Sequence, residues 1–127
     1  MREIKYRAFV KELNLVLPVL SISFDFKRVE VPAVNSKVAH TEWFHLEQVE
    51  LMQYTGLKDK NDKEIYEGEI VRVSGHPFQG TYEMDRNYEV GYNEYMELCC
   101  GSWYLVRMRP WAEVIGNIHE NKELLEN

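Results

Sequence analysis

The chain has 127 residues, of which 45% are hydrophobic and 28% charged, with only 7 Gly and 4 Pro. This composition excludes an intrinsically disordered chain and predicts one folded domain over residues 1–127. The formal net charge of −6 arises in residues 49–127, where 15 Asp and Glu outnumber 8 Lys and Arg. Because an acidic domain repels the phosphate backbone on average, tight non-specific nucleic-acid binding is not the function that the composition favours.

Neither a secretory signal nor a membrane span is predicted. The only cysteines are the neighbours Cys99 and Cys100, which cannot crosslink distant parts of the chain, and no signal peptide precedes the fold. The longest apolar run, residues 13–20, is interrupted by Asn14 and Pro18 and is well short of the roughly 20 residues that a membrane span needs. We therefore expect a cytoplasmic protein with no membrane role.

Alternation of apolar and polar residues predicts strands along most of the chain. A period of two over residues 4–10 predicts an amino-terminal strand. The clearest alternation is in residues 20–26, where four large side chains, Phe24 and Phe26 among them, would lie on one face. Turn residues around Asn61 predict a hairpin there. Further strands are predicted at residues 43–44, 50–54, 69–73, 81–84, 88–92, 95–99, 103–108 and 112–115.

Composition and turn spacing together predict the fold class. Aromatic residues make up 13% of the chain, and they favour pleated, half-buried positions. Turn signals separate the predicted strands at intervals of roughly 8 to 12 residues. Near the end, Asn121 can cap a short helix over residues 122–126. The prediction is a mainly β (β-rich α+β) domain, a small barrel or sandwich with a short C-terminal helix.

A long central signature carries a family resemblance. Residues 51–61, LMQYTGLKDKN, and residues 63–71, KEIYEGEIV, resemble the central signature of the YopX family. Residues 2–8 and 113–121 are similar to the opening and the ending of that family. Asp62 stands where the family often has Gly, which predicts a turn position with φ > 0.

This resemblance implies a β-dominated domain related to SH3-type barrels, partly open, of a kind found in phages and prophages of Gram-positive bacteria. It implies no established biochemical activity. The sequence adds no nucleotide, zinc or hydrolase motif, so we expect no cofactor and no metal site. Cys99 and Cys100 could form a strained redox-active disulfide, but small buried hydrophobic residues are the favoured interpretation.

The charged central signature is the first candidate binding site. It carries Lys58, Lys60 and Lys63 among acidic residues that include Glu67. These residues could form a binding loop, although charges that merely solvate a hairpin are the favoured interpretation. On a continuous strand, Glu67 and Glu69 would share a face about 7 Å apart, but no sequence feature predicts the raised pKa that a catalytic acid needs.

Residues 103–111 form the second candidate site. If this segment stays extended, Trp103, Arg107, Arg109 and Trp111 project from one face, where they could stack bases and neutralise phosphates. The favoured alternative places the tryptophans in the core and pairs the arginines with carboxylates.

Because the sequence contains no recognisable set of catalytic residues, it predicts a non-catalytic protein-binding or self-assembly module. Its partner would be a host or phage protein, or a second copy of the chain. The alternative is a nucleic-acid-binding accessory protein that uses the arginine and tryptophan face of residues 103–111. An enzyme with a new kind of site is a third class, which would require a deep pocket with convergent polar groups.

Overall fold

The computed structural model describes residues 2–77 and 84–126. These residues are 49% strand and 12% helical, with a curled half-barrel sheet and one short C-terminal helix, which confirms the predicted β-rich fold class. The chain divides into two compact units: the first unit is residues 4–53, and the second unit is residues 1–3 and 54–127. The relation to SH3-type barrels and the single domain over residues 1–127 stay predictions.

The first unit consists of short antiparallel strands. They are β1 (Tyr6–Val10), β2 (Leu15–Pro18), β3 (Ser21–Ser23), β4 (Arg28–Pro32) and β5 (Thr41–His45), followed by a 3-10 turn (Leu46–Gln48) and the start of β6 (Val49–Lys58). Strand β1 pairs with β2 and with the start of β6, while β4 pairs with β3 and β5. The core consists of six buried apolar residues from these strands: Ala8, Val10, Val29, Val31, Phe44 and Val49.

The side chains of strand β4 alternate between the two faces of its three-stranded sheet. Val29 and Val31 are buried in the core, and Val29 lies opposite Phe44 of β5. Because side chains alternate along a strand, Arg28 and Glu30 lie on the outer face. The Glu30 carboxylate accepts hydrogen bonds from hydroxyl groups on both neighbouring strands, which lowers its pKa.

The second unit contains most of the remaining elements. They are the end of β6, then β7 (Glu64–Tyr66), β8 (Glu69–Val73), β9 (Arg86–Tyr92), β10 (Leu98–Cys100), β11 (Trp103–Tyr104), α1 (Leu105–Met108), a 3-10 turn (Arg109–Trp111), β12 (Ala112–Asn117) and a 3-10 turn (Lys122–Leu125). Five strands form an antiparallel sheet in the order β11-β10-β9-β8-β12. The end of β6 pairs with β7. The core combines apolar residues from the five-stranded sheet, from α1, from β7 and from the segment before β9: Ile65, Val71, Val73, Met84, Val90, Cys100, Leu105, Met108, Ala112 and Val114.

Most predicted strands are confirmed, and the exceptions share a cause. The strand predicted at residues 20–26 ends at Ser23, the one predicted at 95–99 begins at Leu98, and the one predicted at 103–108 ends at Tyr104. In each case, apolar residues that fit the alternation lie in a turn or a helix instead. Residues 81–83 of another predicted strand lie outside the described residues, and β2 and β4 were not predicted.

Two predictions about local backbone geometry have different outcomes. The hairpin around Asn61 is confirmed, and Asp62 has a φ of 65°, in the left-handed region that the family's glycine would favour. The predicted short terminal helix is present as a 3-10 helix over Lys122–Leu125, but the Asn121 side chain does not cap it. Instead, the Asn121 Oδ1 accepts a hydrogen bond from the Asn117 N–H at 3.2 Å. Within residues 2–77 and 84–126, no helix has the length and hydropathy that crossing a membrane would require.

Candidate functional site

The central turn, residues 58–63, connects β6 to β7 and is docked onto the chain around the start of β12. The Lys60 N–H donates to the Ala112 carbonyl at 2.9 Å, and the Arg109 Nη1 donates to the Lys58 carbonyl at 3.1 Å. The structure therefore brings Arg109 from one predicted site together with Lys58 and Lys60 from the other.

The lysines of the central turn are exposed, but carboxylates lie beside two of them. The Lys58 Nζ is 3.9 Å from an Asp62 oxygen, and the Lys60 Nζ is 3.9 Å from a Glu113 oxygen. Exposed pairs of this kind contribute about 0–1 kcal/mol to stability. The carboxylates also offset the positive charge of the lysines, so this surface has mixed charge. Binding of a partner by Lys58, Lys60 and Lys63 stays a prediction.

A buried carboxylate holds the central turn in place. The Asp59 Oδ1 accepts hydrogen bonds from the Asn61 N–H at 2.8 Å and the Lys63 N–H at 3.0 Å. Its Oδ2 accepts one from the Val114 N–H, also at 2.8 Å. All three donors are backbone groups, so this carboxylate closes the turn on one side and fixes it to β12 on the other. Asp59 therefore has a structural role inside the central signature.

The second predicted site rests on an incorrect assumption about the backbone. Residues 103–111 do not stay extended, because the chain enters α1 at Leu105 and continues as a 3-10 turn from Arg109 to Trp111. The alternating face that would have placed two guanidinium groups between two indoles is therefore not formed. Arg107 and Arg109 are both exposed, so nucleic-acid binding through them stays a prediction without the stacking geometry.

The tryptophans of this segment lie against the core of the second unit. Trp103 and Trp111 are half-buried and pack against its buried cluster. The Trp111 ring also makes an edge contact with the His76 ring, with 4.4 Å between centroids. Both indoles thus pack against the core, which agrees with one part of the favoured interpretation, whereas the pairing of the arginines with carboxylates stays a prediction.

Glu67 and Glu69 do not lie on one continuous strand. Glu67 belongs to the turn between β7 and β8, whereas Glu69 begins β8 and is buried. The Glu69 Oε1 accepts a hydrogen bond from the Tyr66 N–H at 2.7 Å. The two carboxylates therefore have different surroundings. They do not lie together on one face of a strand, as a catalytic pair at these positions would require.

The environment of Glu67 shifts its pKa. Partial burial raises the pKa above its ordinary value of 4.5, and the positive charge of Arg2 opposes this rise. A carboxyl group with a raised pKa in the folded state favours folding below pH 4.5, and that contribution is lost as the pH rises through the folded-state value.

Replacement of Glu67 by Gln is therefore expected to stabilise the protein more at pH 7 than at pH 4. The amide resembles the protonated carboxyl and lacks the charge that burial disfavours. Urea unfolding of both proteins at the two pH values measures this difference, with Glu94→Gln at an exposed turn position as a control. An equal difference in unfolding free energy at both pH values would contradict the expectation.

Cys99 and Cys100 are both buried with free thiols. Burial and the neighbouring Cys99 raise the pKa of the Cys100 thiol to about 12, so it has almost no reactive thiolate at neutral pH. Cys99 lines a cleft of about 230 Å³ together with residues of β9 and the following turn. Among the described residues, no group of three or more His, Cys, Asp or Glu is placed to hold a metal ion.

The structure also presents a surface that the sequence did not predict, at the turn between β3 and β4. Phe24 is 80% exposed and Phe26 is 70% exposed. The turn is fixed by a hydrogen bond from the Phe26 N–H to the Ser23 Oγ at 3.2 Å. Lys27 has a φ of 52°, which is unusual for a residue with a side chain. Two large aromatic side chains are thus held in solvent by a defined backbone.

An arginine links this turn to the outer face of the sheet. The Arg28 guanidinium carbon lies 5.2 Å from the Phe26 ring centroid and 4.7 Å from the Trp43 ring centroid. Each such contact contributes about 0.5–1 kcal/mol at an exposed site. The Arg28 Nε is buried and has no hydrogen-bond partner among the described residues. We call Phe24, Phe26, Arg28 and Trp43 the aromatic tip.

A cleft of about 400 Å³ lies beside the aromatic tip. One wall is the turn at Phe26 and Lys27, and the other is the start of the 3-10 turn that follows β5, namely His45, Leu46 and Glu47. The Leu46 N–H donates to the Lys27 carbonyl at 2.9 Å, which ties the two walls together. This cleft is lined by a half-buried leucine, Leu46, and by charged residues of both signs.

The aromatic tip was missed because its residues also satisfy a strand pattern. Phe24 and Phe26 continue the alternation of residues 20–26, which predicted that they would lie on one face of a strand. Two polar residues in the same segment indicate a turn instead of a strand. Ser23 and Asp25 favour turns, and Asp is depleted in strands. Reading these two residues as turn formers would have left both rings outside the sheet.

Comparisons with known proteins give a structural relative and a family. The crystal structure of protein EF1440 from Enterococcus faecalis is similar to this chain, with a TM-score of 0.66 and 25% sequence identity, over 98% of this chain and 99% of that one. No curated protein matches the sequence. The family model described as YopX protein matches residues 5–126. The chain therefore belongs to the YopX family.

Proposed function

We propose that this YopX-family chain is a non-catalytic protein-binding or self-assembly module and that the aromatic tip is its contact surface. The observation that carries the proposal is the exposure of Phe24 and Phe26, at 80% and 70%, on a turn with defined hydrogen bonds. Large apolar side chains grouped on a surface mark interaction sites, because exposing them to water has a free-energy cost that a partner removes.

The composition of the aromatic tip favours a protein partner. Binding energy at protein interfaces is concentrated in Trp, Tyr and Arg residues near a well-packed centre. Arg28 lies between the rings of Phe26 and Trp43, so its position is set before a partner arrives. A preorganised side chain loses less conformational entropy on binding. The cleft beside the tip provides a concave surface next to a convex one.

Immobilised protein should retain binding partners through the aromatic tip. We expect a column of the natural chain to retain a defined protein, from a bacterial host lysate or from a solution of the chain itself. The variant Phe24→Ser/Phe26→Ser should lose at least 90% of this binding. Equal retention by both columns would refute the proposal.

A second pair of exposed apolar residues gives a matched control. Tyr95 and Met96, in the turn between β9 and β10, are 75% and 74% exposed. The variant Tyr95→Ser/Met96→Ser removes a similar amount of apolar surface from the second unit. It should retain partners as well as the natural chain does. Loss of binding in this variant alone would place the contact surface on the second unit and overturn the assignment to the aromatic tip.

A further inference from the structure

We propose that the partner of the aromatic tip is a second copy of this chain, bound in a symmetric dimer in which each copy inserts Phe24 into the cleft of the other. This inference rests on the proposed function, which it makes specific. The first unit contains both halves of such a contact: a projecting ring and, next to it, a cleft of about 400 Å³.

The first unit offers a projecting ring and an open cleft of about 400 Å³ next to it. Phe24 is the most exposed large hydrophobic residue among those described, and it does not line the cleft beside it. That cleft is therefore open to a side chain from outside. Its walls offer the Phe26 ring and Leu46 as apolar contacts for an incoming ring. A two-fold axis near the turn would let both copies make this insertion at once, since residue i then contacts j and j contacts i.

The charges of this surface favour the chain itself as partner. In the turn, Phe24 and Phe26 alternate with Asp25 and Lys27, and Lys27 also lines the cleft. When Phe24 of one copy enters the cleft of the other, its neighbour Asp25 approaches Lys27 of the second copy. The same pair forms again across the two-fold axis. Opposite charges placed in this way select the register of an interface.

The same charges argue against nucleic acid as the partner. Asp25 and Glu47 balance Lys27 and Arg28 around the tip and its cleft, so there is no excess of positive charge for a phosphate backbone. Arg28 is also already engaged with two rings. Nucleic-acid binding surfaces combine aromatic stacking with a positively charged groove, and only the first of these features is present here.

Sedimentation velocity of the full chain over a range of concentrations tests the dimer. The natural chain should be a dimer that dissociates on dilution. Phe24→Ser should weaken dimerisation on the order of 100-fold, because each dimer loses two inserted rings. Tyr95→Ser, which changes an equally exposed ring in the second unit, should leave the dimer unchanged. A natural chain that is monomeric throughout, or a Phe24→Ser variant that still dimerises, would overturn the inference.

A charge exchange tests the predicted register. Asp25→Lys and Lys27→Asp should each weaken dimerisation about tenfold, because each places like charges opposite each other. The double variant Asp25→Lys/Lys27→Asp should recover most of the affinity, and Asp tolerates the positive φ of position 27. No recovery in the double variant would show that these two residues do not meet, which would contradict the proposed geometry.

Two further outcomes separate this inference from the proposed function. If the natural chain stays monomeric while a column retains another protein through Phe24 and Phe26, the dimer is wrong and the protein-binding function stands. If neither the dimer nor that retention is observed, both are wrong. Dissociation of the dimer by a single-stranded oligonucleotide at low salt would assign the tip to nucleic acid and refute the dimer as its function.

Discussion

Replacement of Asp59 by Asn is expected to lower the free energy of unfolding by about 3 kcal/mol. The natural carboxylate accepts hydrogen bonds from three backbone N–H groups, those of Asn61, Lys63 and Val114. An amide of the same shape retains one oxygen, and its NH2 group then faces a donor. At least one buried N–H loses its acceptor, and the remaining bonds lose the contribution of the charge.

The neighbouring aspartate of the same turn gives a matched control. Asp62 is exposed, and its carboxylate forms a weak ion pair with Lys58 at 3.9 Å. Asp62→Asn keeps a residue that tolerates a positive φ, so it should change the stability by less than about 0.5 kcal/mol. Urea unfolding followed by tryptophan fluorescence reports both variants, since Trp103 and Trp111 lie in the same unit as the turn. Similar losses in the two variants would show that burial of Asp59 does not matter.

Replacement of Gly101 by Ala is the second change with a large expected effect, a loss of about 2–4 kcal/mol. Gly101 has a φ of +61°, and an added Cβ would lie 2.4 Å from the ring of Tyr88. That ring packs against the core, and its hydroxyl donates to the Met84 carbonyl at 3.0 Å. The ring therefore has little freedom to move away.

Gly75→Ala is a control that measures the cost of the left-handed backbone without a steric clash. Gly75 has a φ of +73°, but within residues 2–77 and 84–126 no atom lies within 4 Å of an added Cβ. Gly75→Ala should therefore cost only the left-handed conformation, about 1 kcal/mol. Thermal unfolding of the two variants measures the difference, which we assign to the contact with Tyr88. If both variants lose the same stability, the ring moves aside and the steric argument is wrong.

Strands that are buried on both faces were predictable, because burial alone accounts for their run of β-branched residues. In residues 69–73, β-branched residues between turn signals gave β8, which is almost fully buried. Strands β2 and β4 were not predicted. Strand β4 has the alternating burial that a period of two describes, but Pro32 at its end concealed it.

The aromatic tip shows why alternation alone could not locate the candidate site. A period of two predicts which side chains share a face, but it does not say where the strand ends. Phe24 and Phe26 fit the pattern of Ile22, which is half-buried, yet the strand ends at Ser23. Hydrophobic residues of this kind are predicted to be buried by default, so a surface made of them is hidden from sequence analysis.

Contacts between distant residues account for the rest of what could not be predicted. The bond from Val114 to Asp59 joins residues 55 positions apart, and nothing in either local sequence indicates it. The charged character of the central signature suggested a solvated hairpin, which is correct for Lys58 and Lys63. For Asp59 the same pattern concealed a buried carboxylate.

The central turn also covers part of one edge of the five-stranded sheet. Strand β12 is the last strand of the five-stranded sheet, and such a strand can template the pairing of another chain, which leads to aggregation. Here the Ala112 carbonyl accepts the Lys60 N–H and the Val114 N–H donates to Asp59. These backbone groups are therefore closed to an incoming strand. If the chain associates through the aromatic tip as proposed, this protection keeps that contact separate from pairing along the edge of the sheet.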